Sequence, residues 1–189
     1  MSAIITKYLG QLKGIEVGRG IHNNFHLNAI NVDSPYGHEF DVEQTRYGSP
    51  VPAVVDIVAD ATTIPLEDSS SDYVFSSHVF EHLVNPIAAL KEWYRLVRNE
   101  GYIAIIIPLR HVCDAGRPIT SLDEMKKLYI NPQPQCSVCS HVTVWDMQSL
   151  KGLVLYGNTE NLWNLTEVEC QEKDDQVGNG FLLILKVNK

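Results

Sequence analysis

The sequence predicts an α/β protein built on a doubly wound, mostly parallel sheet. Three observations predict it. From residue 13 onward, short Val- and Ile-rich runs alternate with polar, turn-rich or helical stretches. Several of these runs are almost continuously apolar, the pattern of strands covered by helices on both faces. The end of the chain differs, with two apolar runs joined by a polar loop that read as an antiparallel pair.

Seven strands follow from that pattern. Lys13 to Gly18 ends in glycine, Ala29 to Asp33 ends in an acid, and Ala53 to Ala59 is followed by Asp60-Ala61. Ser71 to Ser77 and Gly101 to Pro108 are the fourth and fifth, and Leu162 to Cys170 and Gly180 to Val187 form the closing pair. The clearest helix is Pro86 to Arg98. Asn85 can cap it, proline suits its first turn, and Ile87, Leu90, Trp93, Tyr94 and Val97 recur at helical spacing. Further helices are expected from Ser121 to Tyr129 and from Asp146 to Tyr156. Trp93, Trp145 and Trp163 read as core.

A chain of 189 residues suits one domain, residues 1–189, and its 44% hydrophobic content can fill a core without staples. The formal charge of −8 and the lack of a basic cluster argue against nucleic acid and anionic membranes as partners. No run is long enough to span a bilayer, and the first residues lack the apolar region of a secretion signal. Four cysteines make no disulfide framework, so a reducing, cytoplasmic setting is expected. Cys136-Ser137-Val138-Cys139 with His141 offers part of a zinc set. A closed site needs four ligands, so free thiols and no metal are expected.

The strand ends carry the functional signal. Glu16-Val17-Gly18-Arg19-Gly20 sits where the first strand meets its loop, and glycine there lets the backbone approach a ligand. The third glycine of a dinucleotide fingerprint is absent, Asn23 standing in its place, which makes NAD a poor fit. Asp33 can accept both hydroxyls of a ribose and would repel a 2′-phosphate. Asp60-Ala61 sets a carboxylate beside an N–H, a match for the amine and ring nitrogen of adenine. The irregular segment 110–145 follows the fifth strand, over the carboxyl edge where such sheets bind ligands, and reads as a substrate-side lid.

The stretch VADATTIPLEDSSSDYVFSSHVFEHLVNPIAALKEWYRLVRNEGYIAIIIP, residues 58–108, resembles class I methyltransferases of the type 11 group, which use S-adenosylmethionine (SAM). The closing strand pair resembles that Rossmann-like fold, whose seventh strand inserts antiparallel beside the fifth. Arg110 to Thr120 and His141 to Trp145 are similar to a bacterial subgroup often associated with glycosyltransferases, which implies a saccharide-related acceptor. The resemblance implies that Glu16, Gly18 and Gly20 line the methionine moiety of SAM, Asp33 its ribose and Asp60 and Ala61 its adenine. Ser76, Ser77 and His78 would lie near the sulfonium. Only about ten residues link the first two strands, so the first helix must be very short or replaced by a loop.

Methyl transfer to a hydroxyl needs a base, and histidine suits that role near neutral pH. His111 and His141 on the lid are the first candidates and His78 the third; His82 reads as support for the cofactor loop. Asp114 and Arg117 can hold a polar acceptor or pair with each other. The expected function is methyl transfer from SAM to a small molecule, with oxygen as the methylated atom. A small pocket completed by a second subunit, as in a homodimer, would also fit. The rivals are a non-catalytic SAM-binding module acting through a partner and, further off, a nicotinamide oxidoreductase.

Overall fold

The computed structural model describes residues 2–18, 25–34, 54–133 and 141–189. Seven strands form one sheet: β1 (Gly14–Val17), β2 (Ala29–Asp33), β3 (Ile57–Val58), β4 (Ser71–Ser77), β5 (Val97–Pro108), β6 (Leu165–Gln171) and β7 (Gly180–Val187). Their order is β3-β2-β1-β4-β5-β7-β6. Neighbours from β3 to β5 pair in parallel, whereas β7 runs antiparallel to both β5 and β6. This is the doubly wound α/β sheet with an inserted antiparallel terminal strand.

Helix α1 is Ala3–Leu9, α2 is Pro86–Leu96, α3 is the single turn Arg110–Cys113, α4 is Leu122–Ile130 and α5 is Met147–Thr159. Side chains alternate along each strand between two cores. Ile15, Val17, Val74, Ile103, Ile105, Leu183 and Leu185 pack against Ile87, Leu90 and Trp93 of α2 and against α4 and α5. Tyr73, Phe75, Ala104, Ile106, Leu182 and Ile184 pack on the other face against Ile5 and Leu9 of α1 and against Phe25. No helix among the described residues is long and apolar enough to cross a membrane.

Local signals account for the helix starts. Asn85 accepts from the Ala88 N–H with Pro86 in the first turn. Ser121 with Glu124 and Asp146 with Ser149 close reciprocal capping boxes on α4 and α5. Several boundaries differ from expectation. Strand β3 shrinks to two residues, because only Val32 and Asp33 of β2 pair with it. Helix α2 stops at Leu96 and β5 begins at once, since Val97 already pairs with Ser71 ahead of an irregularity at Ser71/Tyr73. Helix α1 was not anticipated at all, although Ser2 caps it and Ile5 and Leu9 bury one face. All three tryptophans are buried, as expected.

The β6–β7 connection is organised by one carboxylate. Asp174 is 3% exposed and accepts from the N–H groups of Gln176, Val177, Gly178 and Gly180. Burial would raise its carboxyl, but these N–H groups outweigh that and hold it below the usual carboxylate range. A depressed folded-state value stabilises the protein above the unfolded value of about 3.9, and that stability is lost as pH falls through the folded value. Asp174→Ala should therefore cost about 2–3 kcal/mol at neutral pH in urea unfolding. The gap to wild type should narrow on acidification below about pH 4.

Candidate active site

The parallel strands bring their carboxyl ends to one edge. Val17 pairs with Val32 on one side and Ser76 on the other, and Asp33 pairs with Val58. His78, Gly18, Asp33 and Asp60 therefore follow one another, in that order, along an edge about 14 Å long, at about 4.8 Å per strand. Sequence reasoning had placed these residues at strand ends separately; the sheet aligns them.

Gly18 has φ +66°, and a Cβ there would lie 2.3 Å from Cγ2 of Val79. Only glycine combines that backbone with so close an approach. Its N–H donates to the Val32 carbonyl, tying the β1 turn to β2. Glu16 is buried on β1. Burial, and then the Glu16 carboxylate, push the Tyr73 phenol upward. Asp33 accepts from the Ser34 N–H through Oδ1. Asp60 Oδ1 accepts from the N–H and hydroxyl of Thr62, which fixes the turn carrying Ala61. The Ala61 carbonyl accepts from Trp93 Nε1 at 3.1 Å, so α2 anchors that turn from the core. Gly20 lies outside the described residues, as do Cys136 and Cys139.

Ser76 and Ser77 are buried. His78, at φ +57°, has both ring nitrogens engaged. Nε2–H donates to Asn179 Oδ1 at 2.8 Å, and Nδ1 accepts from the Ser77 hydroxyl at 3.1 Å. Burial lowers its pKa, only partly offset by Asn179 and by the charge of Asp174. His78 thus ties the end of β4 to the start of β7 as a neutral ring, an arrangement suited to positioning rather than to taking a proton.

A second cluster faces this edge. His141 Nδ1–H donates to Asp114 Oδ2 at 2.6 Å, and Arg117 donates to Asp114 Oδ1 and to the His141 carbonyl. Burial would raise the Asp114 carboxyl, but the bonds from His141 and Arg117 prevail and hold it below the usual range. The acceptor-only carboxylate fixes the His141 tautomer and leaves Nε2 as the ring's acceptor. Asp114 and Arg117 pair with each other and, through His141, with the other side of segment 110–145. His111 is exposed on α3 and stands apart from these contacts.

Glu81 and His82 sit in the 3-10 turn Phe80–His82 that follows β4. The Glu81 carbonyl accepts from the N–H groups of Val142 and Thr143 and from the Thr143 hydroxyl. This joins residues 142 and 143 to the loop after β4. The His82 and His141 rings meet edge to face, centroids 4.8 Å apart. Burial pushes the Glu81 carboxyl up to about 8, with Asp114 adding to the rise. No spacing rule flags a buried acid in a 3-10 turn, so its convergence with His141 was not foreseen.

Residues 21–105 match the family model described as a methyltransferase domain, type 11. A stretch of 47 residues is 40% identical to malonyl-[acyl-carrier protein] O-methyltransferase of Marinomonas sp.. That stretch is 25% of this chain and 17% of the Marinomonas protein, so the match spans about a sixth of that relative's length. Among solved structures, a Pyrococcus horikoshii protein aligns with TM-score 0.59 and 18% identity, over 98% of this chain and 86% of that one. A SAM-dependent methyltransferase of Thermotoga maritima, described as a possible histamine N-methyltransferase, aligns with TM-score 0.56 and 17% identity over the same shares. At such identities these structures speak for the fold alone. The methyltransferase-domain model thus covers a little under half of the chain, and the fold is the one seen in solved S-adenosylmethionine-dependent methyltransferases. The edge fits that cosubstrate: a cradle at Gly18 that a Cβ would fill, then acids at the ends of β2 and β3.

Gly18→Ala should destabilise the protein by about 1–2 kcal/mol through the left-handed backbone, with a further cost from contact with Val79. In a Val79→Ala background the contact part should disappear and the backbone part remain. Equal costs in both backgrounds, measured by urea unfolding, would show that Val79 does not close this turn.

Proposed function

We propose that the chain moves the methyl group of SAM to a hydroxyl oxygen of a small, polar, saccharide-related acceptor. The observation that carries this reading is the Asp114–His141 pair, held at 2.6 Å and fastened by the Glu81 carbonyl to the loop that ends the cosubstrate edge. The relative from Marinomonas, named as an O-methyltransferase, favours oxygen as the methylated atom. Free thiols at Cys113 and Cys170 suit the reducing, cytoplasmic setting expected from the sequence.

In this reading Gly18 lets the main chain approach the methionine part, with Glu16 on the strand before it. Asp33 accepts the ribose hydroxyls, and Asp60 with the Ala61 N–H takes the adenine edge. Ser76, Ser77 and His78 shape the floor beneath the reacting centre. Bound SAM supplies a methyl carbon that takes the acceptor oxygen's lone pair as the C–S pair returns to sulfur. His141 Nε2 receives the hydroxyl proton, and Asp114 stabilises the charged ring that results. Arg117 keeps Asp114 in place, and residues 110–117 and 141–145 form the acceptor-side lid. Exposed His111 would lie at the rim of that lid rather than at the reacting atoms.

Thermal unfolding tests the cosubstrate. SAM or its demethylated product at a hundred times its dissociation constant should add about 2.7 kcal/mol. For a chain of this size that raises Tm by about 5–11 °C. NAD should give no shift; a shift with NAD alone would refute the assignment. His141→Ala should lower kcat by about 10²–10⁴ with sugar acceptors while leaving the Kd for SAM unchanged. His111→Ala should stay near wild type, and the reverse ranking would move the base to α3.

A further inference from the structure

The side chain of Glu81 has no task in methyl transfer as described so far, yet its burial is costly. The residue is 1% exposed, and neither carboxylate oxygen has a hydrogen-bond partner among the described residues. A buried polar group left in that condition costs about 1–3 kcal/mol, more when charged. An acid kept there needs a ligand or a reason.

Its surroundings supply one. His82 Nε2 lies 3.7 Å from Glu81 Oε1, and His141 Nε2 lies 3.9 Å from the same oxygen. One donor atom from each of the three residues falls within 4.8 Å of the other two. Tetrahedral zinc bonds of about 2.0–2.1 Å set ligand atoms about 3.4 Å apart. Shifts of about 0.3–0.5 Å close two edges of such a set, and at most about 1.4 Å closes the third.

The support around His141 matches the same chemistry. An imidazole that binds metal through one nitrogen commonly donates the other N–H to a carboxylate, which fixes its tautomer and direction. His141 Nδ1–H does this to Asp114, and Arg117 pins that carboxylate in turn. The Glu81 carbonyl, accepting from Val142 and Thr143, holds the two parts of the cluster at fixed separation. The side chains of His82 and His141 stay about one-fifth exposed, which gives an ion a path from solvent.

We infer that Glu81, His82 and His141 form a binding site for a divalent transition-metal ion of the zinc class, with Asp114 as its outer support and one coordination position open. Two imidazoles and a carboxylate are a donor set that zinc accepts with a fourth place left for water or another oxygen ligand. The ion and a free base compete for one lone pair, that of His141 Nε2. Such an ion would acidify a hydroxyl or water placed in the open position. The site itself goes beyond the transfer reading and does not depend on it.

The test is a titration of the chelator-treated full chain with Co²⁺ and then Zn²⁺, without SAM or acceptor. The expected result is one ion per chain, with visible cobalt bands of a tetrahedral site and no thiolate charge-transfer band. Glu81→Gln, which keeps the shape of the side chain, and His141→Ala should weaken binding at least about 100-fold. Asp114→Asn should weaken it about 10–100-fold, and the double variant Cys136→Ser/Cys139→Ser should bind as wild type does. No binding by wild type, undiminished binding by Glu81→Gln, or loss of binding in the cysteine variant would overturn the inference. Glu81→Gln decides the matter even where His141→Ala does not fold. A negative titration leaves SAM binding untouched, since that is read separately by thermal shift.

Discussion

The site depends on the register of parallel strands. Because β1, β2 and β4 each bury side chains toward helices, a slip of one residue would turn every inward side chain outward. The alternation of Val74 and Phe75, or of Ile105 and Ile106, between the two cores therefore locks the strands at one level. Once locked, their carboxyl ends cannot help but form a single edge. Gly18, Asp33 and the Asp60 turn reach that edge from positions far apart in the chain, and none of them needs a long side chain to do so.

A second constraint joins this edge to the segment that carries His141. One backbone carbonyl, that of Glu81, accepts three hydrogen bonds from Val142 and Thr143. The Thr143 hydroxyl accepts in turn from Trp145 Nε1 at 2.8 Å, and Trp145 packs on Phe80 in the same turn as Glu81. Phe80 also meets Trp93, whose indole N–H holds the Ala61 carbonyl. Buried aromatic rings thus run from the Asp60–Ala61 turn to the base of the His141 segment. Small residues at the surface of the site are positioned by large ones beneath it.

Much of this was legible in the sequence, and the exceptions have physical reasons. Strands β2, β4 and β7 fall where their apolar runs predicted, because a buried strand's composition is set by the faces it must fill. Asn85 marked the start of α2 through its cap chemistry. The run at 53–59 overstated β3, since apolar composition does not say how many residues find a pairing partner. Helix α1 carries a cap and an i, i+4 apolar pair, too brief a pattern to stand out. Asp114, Arg117 and His141 could be singled out by residue type, but the contact between Asp114 and His141 spans 27 positions. One of the two bonds that engage His78 also arises from tertiary structure: Asn179 comes to it only because β7 inserts beside β5.

The central claim is that one nucleoside lies along the edge from Gly18 to the Asp60 turn. The most direct measurement is a crystal structure of the chain with the demethylated product of SAM. The account predicts the ribose hydroxyls on the Asp33 carboxylate, the adenine beside Asp60 and Ala61, and the sulfur at the end of β4 on the side of His141. A nucleoside bound elsewhere on the chain, or lying along this edge with its ribose away from Asp33, would contradict it.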